Sequence, residues 1–448
     1  MKAIVLAGDK HYLTPILTTI KSILYYNQNV KIYILHQNIP SDWFHEIKVQ
    51  VEMLGSIVED IYIGDVINPE WKTQAHISPI AYARYLIPRL TTEDRVVYLD
   101  SDIIVHGDLS PLFDLDLGDY SLAAVRDVDG NGFNSGMLVI DCQKWREKDV
   151  TSLLFDKTVE YMSYLNQNTT EDFNGDQTIF NLVFQNHWLE LDKHFNLQVG
   201  HDVIAFYSHW DSHFELDQEP LIIHYTTYRK PWSTLMGYRY RDLWWAFRDV
   251  SFDQIADHYA GCFTIKRVYD LYNVNLFTFT DSQDVLYIDE LAQALPDVGF
   301  HIGAYTDMGD ILLALEKYPN VYLYPSMVGV VIDEMIEKSD AYLDIHTGSP
   351  MEFIVNRYTS ASRPVLTFDI TNKNQLEKTV VSSRSPQSMI ETIEELKKDK
   401  MAMRAIVLGA NYQYADKVLT TIKSICCHNQ GLRFYLINSD FPTEWFYN

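Results

Sequence analysis

The spacing of apolar residues at the start of the chain changes from one predicted element to the next. Lys2–Leu6 is a short apolar run typical of a buried strand, whereas Thr14–Tyr26 has apolar residues at helical spacing. Val30–Leu35 is strand-like again, so the pattern predicts a βαβ unit. Such a unit implies a parallel sheet, in which ligands lie at the carboxyl ends of the strands.

A second buried strand is predicted at Val96–Leu99, and it leads directly into Asp100-Ser101-Asp102. Carboxylates two residues apart point the same way from an extended backbone, and they repel each other unless a cation lies between them. Oxygen ligands of this kind suit Mg²⁺ or Mn²⁺. Ile103–Val105 follows at once, so we expect core on both sides of the acidic pair. The three residues alone more often mark an Asx-turn or a helix cap.

Further elements follow along the first half of the chain. Ser78–Leu90 and Asp176–Phe184 are predicted to be helical, and Leu221–Ile223 is strand-like. Asn131–Gly136 is predicted to form a polar turn before a strand at Met137–Ile140. Because the turn contains glycine, its backbone can approach a ligand closely.

The second half of the chain alternates regularly between strand-like and helical runs, which predicts a Rossmann-like α/β domain. The strand-like runs are Leu276–Thr280, Phe300–Ala304, Val321–Tyr324, Ala341–Ile345 and Pro364–Phe368. The sequence shows no glycine-rich phosphate loop there, so we expect docking of a binding partner or self-association rather than a second catalytic centre.

The end of the chain repeats its beginning. Met403–Phe446 aligns without gaps on Met1–Phe44, and 19 of 44 positions are identical. This predicts a tandem copy that supplies only a strand, a helix and a strand. We therefore expect this chain to be a fragment of a longer polypeptide with several such domains.

The composition of the chain argues against several classes of function. The formal net charge is −25 and basic runs are absent from the sequence, which argues against nucleic acid binding. No apolar run approaches the roughly 18 residues of a membrane span, and Met1 leads directly into a strand-like run, so we expect no signal peptide. The cysteines do not form a disulfide or metal framework, which favours a cytoplasmic protein; they are Cys142, Cys262, Cys426 and Cys427.

The aromatic and basic segment Tyr228–Phe247 leaves two alternatives open. It either packs against the next domain or rests on the inner face of a membrane through an amphipathic helix.

Five segments of the first half occur together and in order: AYARYLIPRL, VVYLDSDIIVHGDL, FNSGMLVID, NGDQTIF and HYTTYRKPW. In this combination the sequence resembles glycosyltransferase family 8, which comprises retaining sugar-nucleotide transferases with a GT-A fold. The second half resembles the C-terminal half of GT-B-type transferases that modify bacterial serine-rich repeat adhesins. We therefore predict a GT-A Rossmann-like domain at residues 1–260, a second Rossmann-like α/β domain at 261–400, and a truncated start of another GT-A copy at 401–448.

The resemblance implies a role for individual residues of the first domain. The implied ligands of a Mn²⁺ or Mg²⁺ ion are Asp100, Asp102 and His224. The implied contacts to the nucleotide-sugar donor are Ala7, Asp9, Tyr12, Arg84, Asp100, Ser101, Ser135 and Lys230. The implied residues of the reacting centre are Asp127, Asn134, Asp176 and Gln177. One departure is Thr227, because the family usually has glycine there.

The resemblance also implies a reaction, namely transfer of glucose or galactose from a UDP-sugar with retention of configuration. Gln177 is an amide and a poor nucleophile, so we favour same-face attack, in which Gln177 stabilises developing positive charge. The expected acceptor is a sugar on a serine-rich repeat glycoprotein. Two alternatives remain at this stage: a lipopolysaccharide or teichoic-acid hexosyltransferase, and a non-catalytic scaffold module of a glycosylation complex.

Overall fold

The computed structural model divides the chain into two compact units, Met1–Thr234 with Leu243–Ala256, and Leu235–Asp242 with Asp257–Asn448. The residues that the structure describes are 1–73, 77–166, 173–185, 187–373, 379–381, 385–402, 405–428, 433–438 and 440–441. The fold is mixed α/β in both units.

The first unit is built around a sheet whose central strands are almost completely buried. The strands of this unit, which form two sheets, are β1 (Lys2–Ala7), β2 (Val30–His36), β3 (Ile57–Tyr62), β4 (Arg95–Leu99), β5 (Ile103–Val105), β6 (Leu122–Arg126), β7 (Phe133–Asp141), β8 (Leu189–Leu191), β9 (Leu197–Gln198) and β10 (Ile222–His224). Its helices are α1 (Leu13–Tyr26), α2 (Ser41–Met53), α3 (Ile87–Leu90), α4 (Ser110–Phe113), α5 (Cys142–Glu147), α6 (Val150–Leu165), α7 (Asp176–Phe184) and α8 (Asp202–Tyr207). Two helices that follow are α9 (Arg241–Asp249) and α10 (Phe252–Tyr259).

The strand order of the large sheet is β3-β2-β1-β4-β7-β6-β8, and a smaller sheet has the order β5-β10-β9. β1 pairs in parallel with β2 and β4, as the predicted βαβ unit requires. β4 pairs antiparallel with β7, and β5 pairs antiparallel with β10. The chain passes from the large sheet to the small sheet between Leu99 and Ile103, so the acidic pair lies at the junction of the two sheets.

The predicted polar turn at Asn131–Gly136 ends at Gly132, which has a positive φ of 73°, and its second half was wrong because β7 already begins at Phe133. The backbone of Phe133 exchanges two hydrogen bonds with the Asn181 side chain of α7, both 2.9 Å long. A distant side chain thus satisfies the backbone at the start of β7. The pairing with β6 shifts register soon after, because Val125 pairs with Asn134 but Ala124 pairs with Leu138, so the unpaired residues belong to β7. Asn134 and Ser135 are therefore buried in a strand, whereas Asn131 precedes it and is exposed.

The predicted helix at Ser78–Leu90 is mostly a 3₁₀ helix, Pro79–Leu86, followed by the single turn of α3. The amide of Ile87 bonds to the carbonyl of Arg84, and Pro88 lacks the amide hydrogen that an α-helix would use next. The other 3₁₀ helices described are Lys193–Phe195, Val199–His201, Asp211–His213, Val268–Leu271, Ala314–Lys317 and Tyr412–Tyr414.

Aromatic residues of α9 pack within the first unit. Leu243, Trp244 and Phe247 are buried, and the Phe247 ring lies 5.5 Å from the Tyr25 ring of α1. Among the helices described, none combines the length and apolar character that crossing a membrane requires.

The second unit contains a six-stranded parallel sheet of the order β13-β12-β11-β14-β15-β16. Its strands are β11 (Val274–Phe279), β12 (Val298–Gly303), β13 (Val321–Tyr324), β14 (Ala341–Asp344), β15 (Val365–Phe368) and β16 (Thr379–Val381). Its helices are α11 (Ile288–Ala294), α12 (Asp310–Leu313), α13 (Gly329–Lys338), α14 (Glu352–Ser360) and α15 (Gln387–Ala402). The unpredicted strand β16 extends the sheet beyond β15.

The segment that repeats the chain start contains β17 (Ala405–Gly409), α16 (Ala415–His428) and β18 (Arg433–Ile437). β17 pairs in parallel with β18, as β1 pairs with β2. Burial differs, since Val5 is 0% exposed and its counterpart Val407 is 60% exposed. Parts of the predicted repeat lie outside the described residues, namely 403–404, 429–432, 439 and 442–448. Described free thiols are Cys142, Cys262 and Cys426.

Candidate functional site

A cavity of about 430 Å³ lies in the first unit, at the carboxyl ends of β1 and β4. Every site residue named from the sequence lines this cavity. These residues are Ala7, Asp9, Tyr12, Arg84, Asp100, Ser101, Asp102, Asp127, Asn134, Ser135, Asp176, Gln177, His224 and Lys230.

Asp100, Asp102 and His224 come together at the junction of the two sheets. β10 pairs with β5 so that His224 lies opposite Ile103, and Ile103 is the residue that directly follows the acidic pair. One ligand atom from each of the three side chains lies within 4.8 Å of the others. His224 Nε2 is 3.3 Å from Asp102 Oδ1 and 3.9 Å from Asp100 Oδ2. Two carboxylates and an imidazole at these separations fit a divalent cation.

Two buried cations hold the carboxylates in place. Arg84 Nη2 donates to Asp100 Oδ1 at 2.9 Å, and Lys230 Nζ donates to Asp102 Oδ2 at 2.5 Å. Burial opposes ionisation of Asp102, but Lys230, through its charge and its hydrogen bond, and the adjacent His224 outweigh it and hold the pKa of Asp102 well below its usual range. Asp102 is therefore ionised and available as a metal ligand.

Arg84 also forms an ion pair with a second carboxyl group, because its Nε lies 3.1 Å from Asp176 Oδ2. Burial raises the pKa of Asp176 to about 6, although the positive charge of Arg84 acts to lower it. Among the described residues that line the cavity, five carboxyl groups accompany only two lysine or arginine side chains. This excess of negative charge favours a bound cation.

Tyr98 was not recognised in the sequence as a site residue. Its hydroxyl donates to Asp100 Oδ1 at 2.6 Å, and the Arg84 guanidinium lies 4.5 Å from the centre of its ring. Tyr98 precedes Asp100 by two residues at the end of β4, so the two side chains share a face. The alternation of the strand could therefore have identified it.

The β1 side of the cavity is tied to the acidic turn by Ser101, whose hydroxyl donates to the Ala7 carbonyl at 2.8 Å. The Tyr12 ring meets the Trp232 ring edge-on, with 6.1 Å between their centres. Burial raises the pKa of Tyr12 to about 12, assisted by Asp102. Tyr12 is therefore a neutral side chain that can donate a hydrogen bond.

Gln177 also lines the cavity, and hydrogen bonds fix both the oxygen and the nitrogen of its amide. Its Oε1 accepts from Asn134 Nδ2 at 3.2 Å and from the Ser135 amide at 3.1 Å. Its Nε2 donates to Asp127 Oδ2 at 2.5 Å. Burial raises the pKa of Asp127, and the nearby Asp129 adds to the effect. Asp176 is the first residue of α7, whose N-cap is Gly175.

Two further residues near the cavity were missed in the sequence. Asn196 lies between His224 and Asn134 and contacts both. His201 Nδ1 lies 2.8 Å from the Thr226 hydroxyl, and burial lowers the pKa of His201 to about 4, so the imidazole is neutral. A single asparagine or histidine carries no local signal, because its partners are distant in sequence.

Thr227, which stands where the family usually has glycine, has a backbone conformation typical of glycine. Thr227 has φ +67°, in the left-handed region that β-branched residues rarely adopt. Thr227 Oγ1 donates to the Gly200 carbonyl at 3.4 Å. The loop after β10 thus has a backbone conformation that suits glycine, although the residue is threonine.

Comparison with known proteins places these features in a family context. Residues 3–235 match the model of glycosyl transferase family 8, and residues 276–408 match the GftB/GlyA-F C-terminal domain. The chain is 45% identical over 399 residues to glycosyltransferase GlyD of Streptococcus pneumoniae; the match covers 89% of this chain but only 49% of GlyD.

Two other relatives match over nearly their whole length. Glycosyltransferase GlyF of Streptococcus pneumoniae is 36% identical over 405 residues, covering 88% of this chain and 99% of GlyF. The crystal structure of glycosyltransferase GlyE from Streptococcus pneumoniae TIGR4 is similar with a TM-score of 0.50 and 33% identity, covering 88% of this chain and 99% of GlyE.

Proposed function

Because the chain belongs to glycosyl transferase family 8, we propose that it is a metal-dependent retaining hexosyltransferase that uses UDP-glucose or UDP-galactose. The supporting observation is the Asp100, Asp102 and His224 cluster, which shares one cavity with Arg84 and Lys230. The cluster provides ligands for a hard cation, and the basic side chains provide charge for an anionic donor.

The proposed metal is Mn²⁺ or Mg²⁺, held by Asp100, Asp102 and His224. When bound, the ion neutralises the diphosphate of the donor and of the departing UDP. Lys230 adds a positive charge beside Asp102, and it is 7% exposed, so its ammonium acts in a poorly solvated environment.

Same-face attack is the proposed route to retention. The bond from the anomeric carbon to the diphosphate oxygen breaks, and a bond to the acceptor oxygen forms on the same face. The proton of the acceptor hydroxyl moves to the departing phosphate oxygen. Gln177 Oε1 is oriented by Asn134 and Ser135, so its partial negative charge can stabilise the developing oxocarbenium ion. Asp127 and Asp176 are proposed to orient sugar hydroxyls.

The proposed acceptor is a sugar on a serine-rich repeat glycoprotein. This rests on the match of residues 276–408 to the GftB/GlyA-F C-terminal domain and on the relatives GlyD and GlyF. We propose a GT-A domain at 1–260, a Rossmann-like accessory domain at 261–400 for acceptor docking or self-association, and an incomplete GT-A repeat at 401–448.

UDP release from a panel of UDP-sugars, with Mn²⁺ or with EDTA, tests the proposed activity without requiring an acceptor. We expect metal-dependent release from one UDP-hexose and its loss in Asp102→Ala. Asp114→Ala is a matched control, because Asp114 belongs to another Asp-x-Asp sequence and is exposed. The absence of release from every UDP-sugar, together with no donor binding in calorimetry, would instead support a non-catalytic scaffold.

A further inference from the structure

Asn196 is a buried residue that contacts two side chains lining the candidate cavity, His224 and Asn134. It lies just before β9 and is 1% exposed. Its Oδ1 is 3.1 Å from His224 Nδ1, and its Nδ2 is 2.9 Å from Asn134 Oδ1. Both polar atoms of the side chain are thus used, one toward the candidate metal ligand and one toward the reacting centre.

These contacts belong to a hydrogen-bonded series in which every donor faces the same direction. His224 Nδ1 donates to Asn196, which donates to Asn134 at 2.9 Å. Asn134 donates to Gln177 at 3.2 Å, and Gln177 donates to Asp127 at 2.5 Å. The series begins at an imidazole and ends at a carboxyl group, so its direction matches the chemistry of both ends.

Backbone amides fix this direction. The amide of Gly136 donates to Asn134 Oδ1 at 3.1 Å, and the amide of Ser135 donates to Gln177 Oε1 at 3.1 Å. Each side-chain oxygen would lose a donor if its amide group turned over. Asn196 must therefore donate to Asn134, and its own oxygen is left to accept from His224.

We propose that Asn196 is a positioning residue that couples the metal end of the site, at His224, to the sugar end, at Asn134 and Gln177. Its oxygen holds the proton of His224 on Nδ1, so that Nε2 presents a lone pair toward Asp100 and Asp102. Its amide nitrogen holds Asn134, which in turn orients Gln177. The sugar-end role rests on the proposed transfer reaction, whereas the metal-end role rests only on the proposed metal site.

Two substitutions separate the contacts. Asn196→Ala removes both. Asn196→Asp has nearly the same shape and still accepts from His224 Nδ1, but its carboxylate cannot donate to Asn134 Oδ1, which Gly136 prevents from turning. Asn27→Ala is the matched control, because Asn27 is a buried asparagine of the same unit that bonds Ile23 and Gly107 away from the cavity.

Three measurements on the full chain decide between the roles: Mn²⁺ binding by electron paramagnetic resonance with UDP present, thermal unfolding, and UDP release. We expect Asn196→Ala to weaken Mn²⁺ binding by about 10- to 100-fold. We expect Asn196→Asp to bind Mn²⁺ within about threefold of wild type while UDP release falls at least tenfold. Asn27→Ala should lower the unfolding temperature and leave Mn²⁺ affinity unchanged.

Wild-type Mn²⁺ affinity in both Asn196 variants would overturn the metal-end role, even if both were less stable. Equal loss of Mn²⁺ binding in Asn196→Asp and Asn196→Ala would overturn the proposed separation of the two contacts. If the wild-type chain releases UDP from no donor, the proposed function fails, but the Mn²⁺ titrations still test Asn196.

Discussion

Gly136 allows a steric test of the proposed metal site without substitution of any proposed ligand residue. It lies in β7, and its carbonyl accepts from the Asp100 amide at 2.8 Å. Its backbone is outside the left-handed region, so alanine brings no conformational strain. A Cβ at this position would lie 2.2 Å from His224 Cε1 and 2.8 Å from Asp100 Oδ2.

The size of the disturbance follows from these distances. Ordinary van der Waals contact begins at 3.4 Å, so the His224 ring would have to move by roughly 1.2 Å. Metal sites tolerate ligand displacements of only about 0.2 Å. We therefore expect Gly136→Ala to weaken Mn²⁺ binding by about 10- to 100-fold, or about 1.4–2.7 kcal/mol. Overpacking should also lower the free energy of unfolding by about 1–3 kcal/mol.

Calorimetric titration with Mn²⁺ in the presence of UDP measures the first effect, and denaturant unfolding measures the second. Gly409→Ala is the control, since a Cβ there meets nothing within 4 Å. It should match the wild type in both measurements. A folded Gly136→Ala protein that binds Mn²⁺ within twofold of wild type would refute the assignment of His224 and Asp100 as joint ligands.

Three further predictions concern stability. Tyr98→Phe removes the donor to Asp100, so the free energy of unfolding should fall by about 1.5–3 kcal/mol in denaturant titrations; an unchanged value would contradict the role of that bond. Thr227→Gly relieves about 1–2 kcal/mol of left-handed strain but adds about 0.5–1 kcal/mol of backbone entropy cost. Its thermal stability should therefore not fall, and a clear decrease would show that threonine is not strained. Burial lowers the pKa of His301 to about 3, so the unfolded chain binds more protons between about pH 6.5 and 3. Stability should decrease by up to about 1.4 kcal/mol per unit of falling pH, with a shallower slope in His301→Gln thermal scans.

The sequence predicted those parts of the site that depend on local pattern. Val96–Leu99 is uniformly apolar, and Asp100 and Asp102 follow it at a spacing that places both on one side of an extended chain. His224 follows a short apolar run in the same way. The pair of carboxylates is a local signal, whereas a histidine after a short strand is not, so His224 was predicted as a ligand only from the resemblance to the family.

The features that the sequence did not reveal depend on distant partners. Asn134 and Ser135 are polar and were therefore predicted to lie in a turn, whereas Asn181, 48 residues from Phe133 in the chain, satisfies the start of β7. Asn196 likewise contacts residues 62 and 28 positions away. Helical spacing at Ser78–Leu90 was real, but periodicity alone does not distinguish a 3₁₀ helix from an α-helix interrupted by proline.

The pairing of β5 with β10 also has a consequence for the order of folding. His224 reaches the acidic pair only when a three-residue strand docks on a segment more than 100 residues earlier in the chain. Closing so long a loop costs chain entropy before other contacts can compensate for it, so this pairing is expected late in folding. In a refolding chain the proposed Mn²⁺ site would therefore form after most of the secondary structure, and a kinetic metal titration would report completion of the first unit.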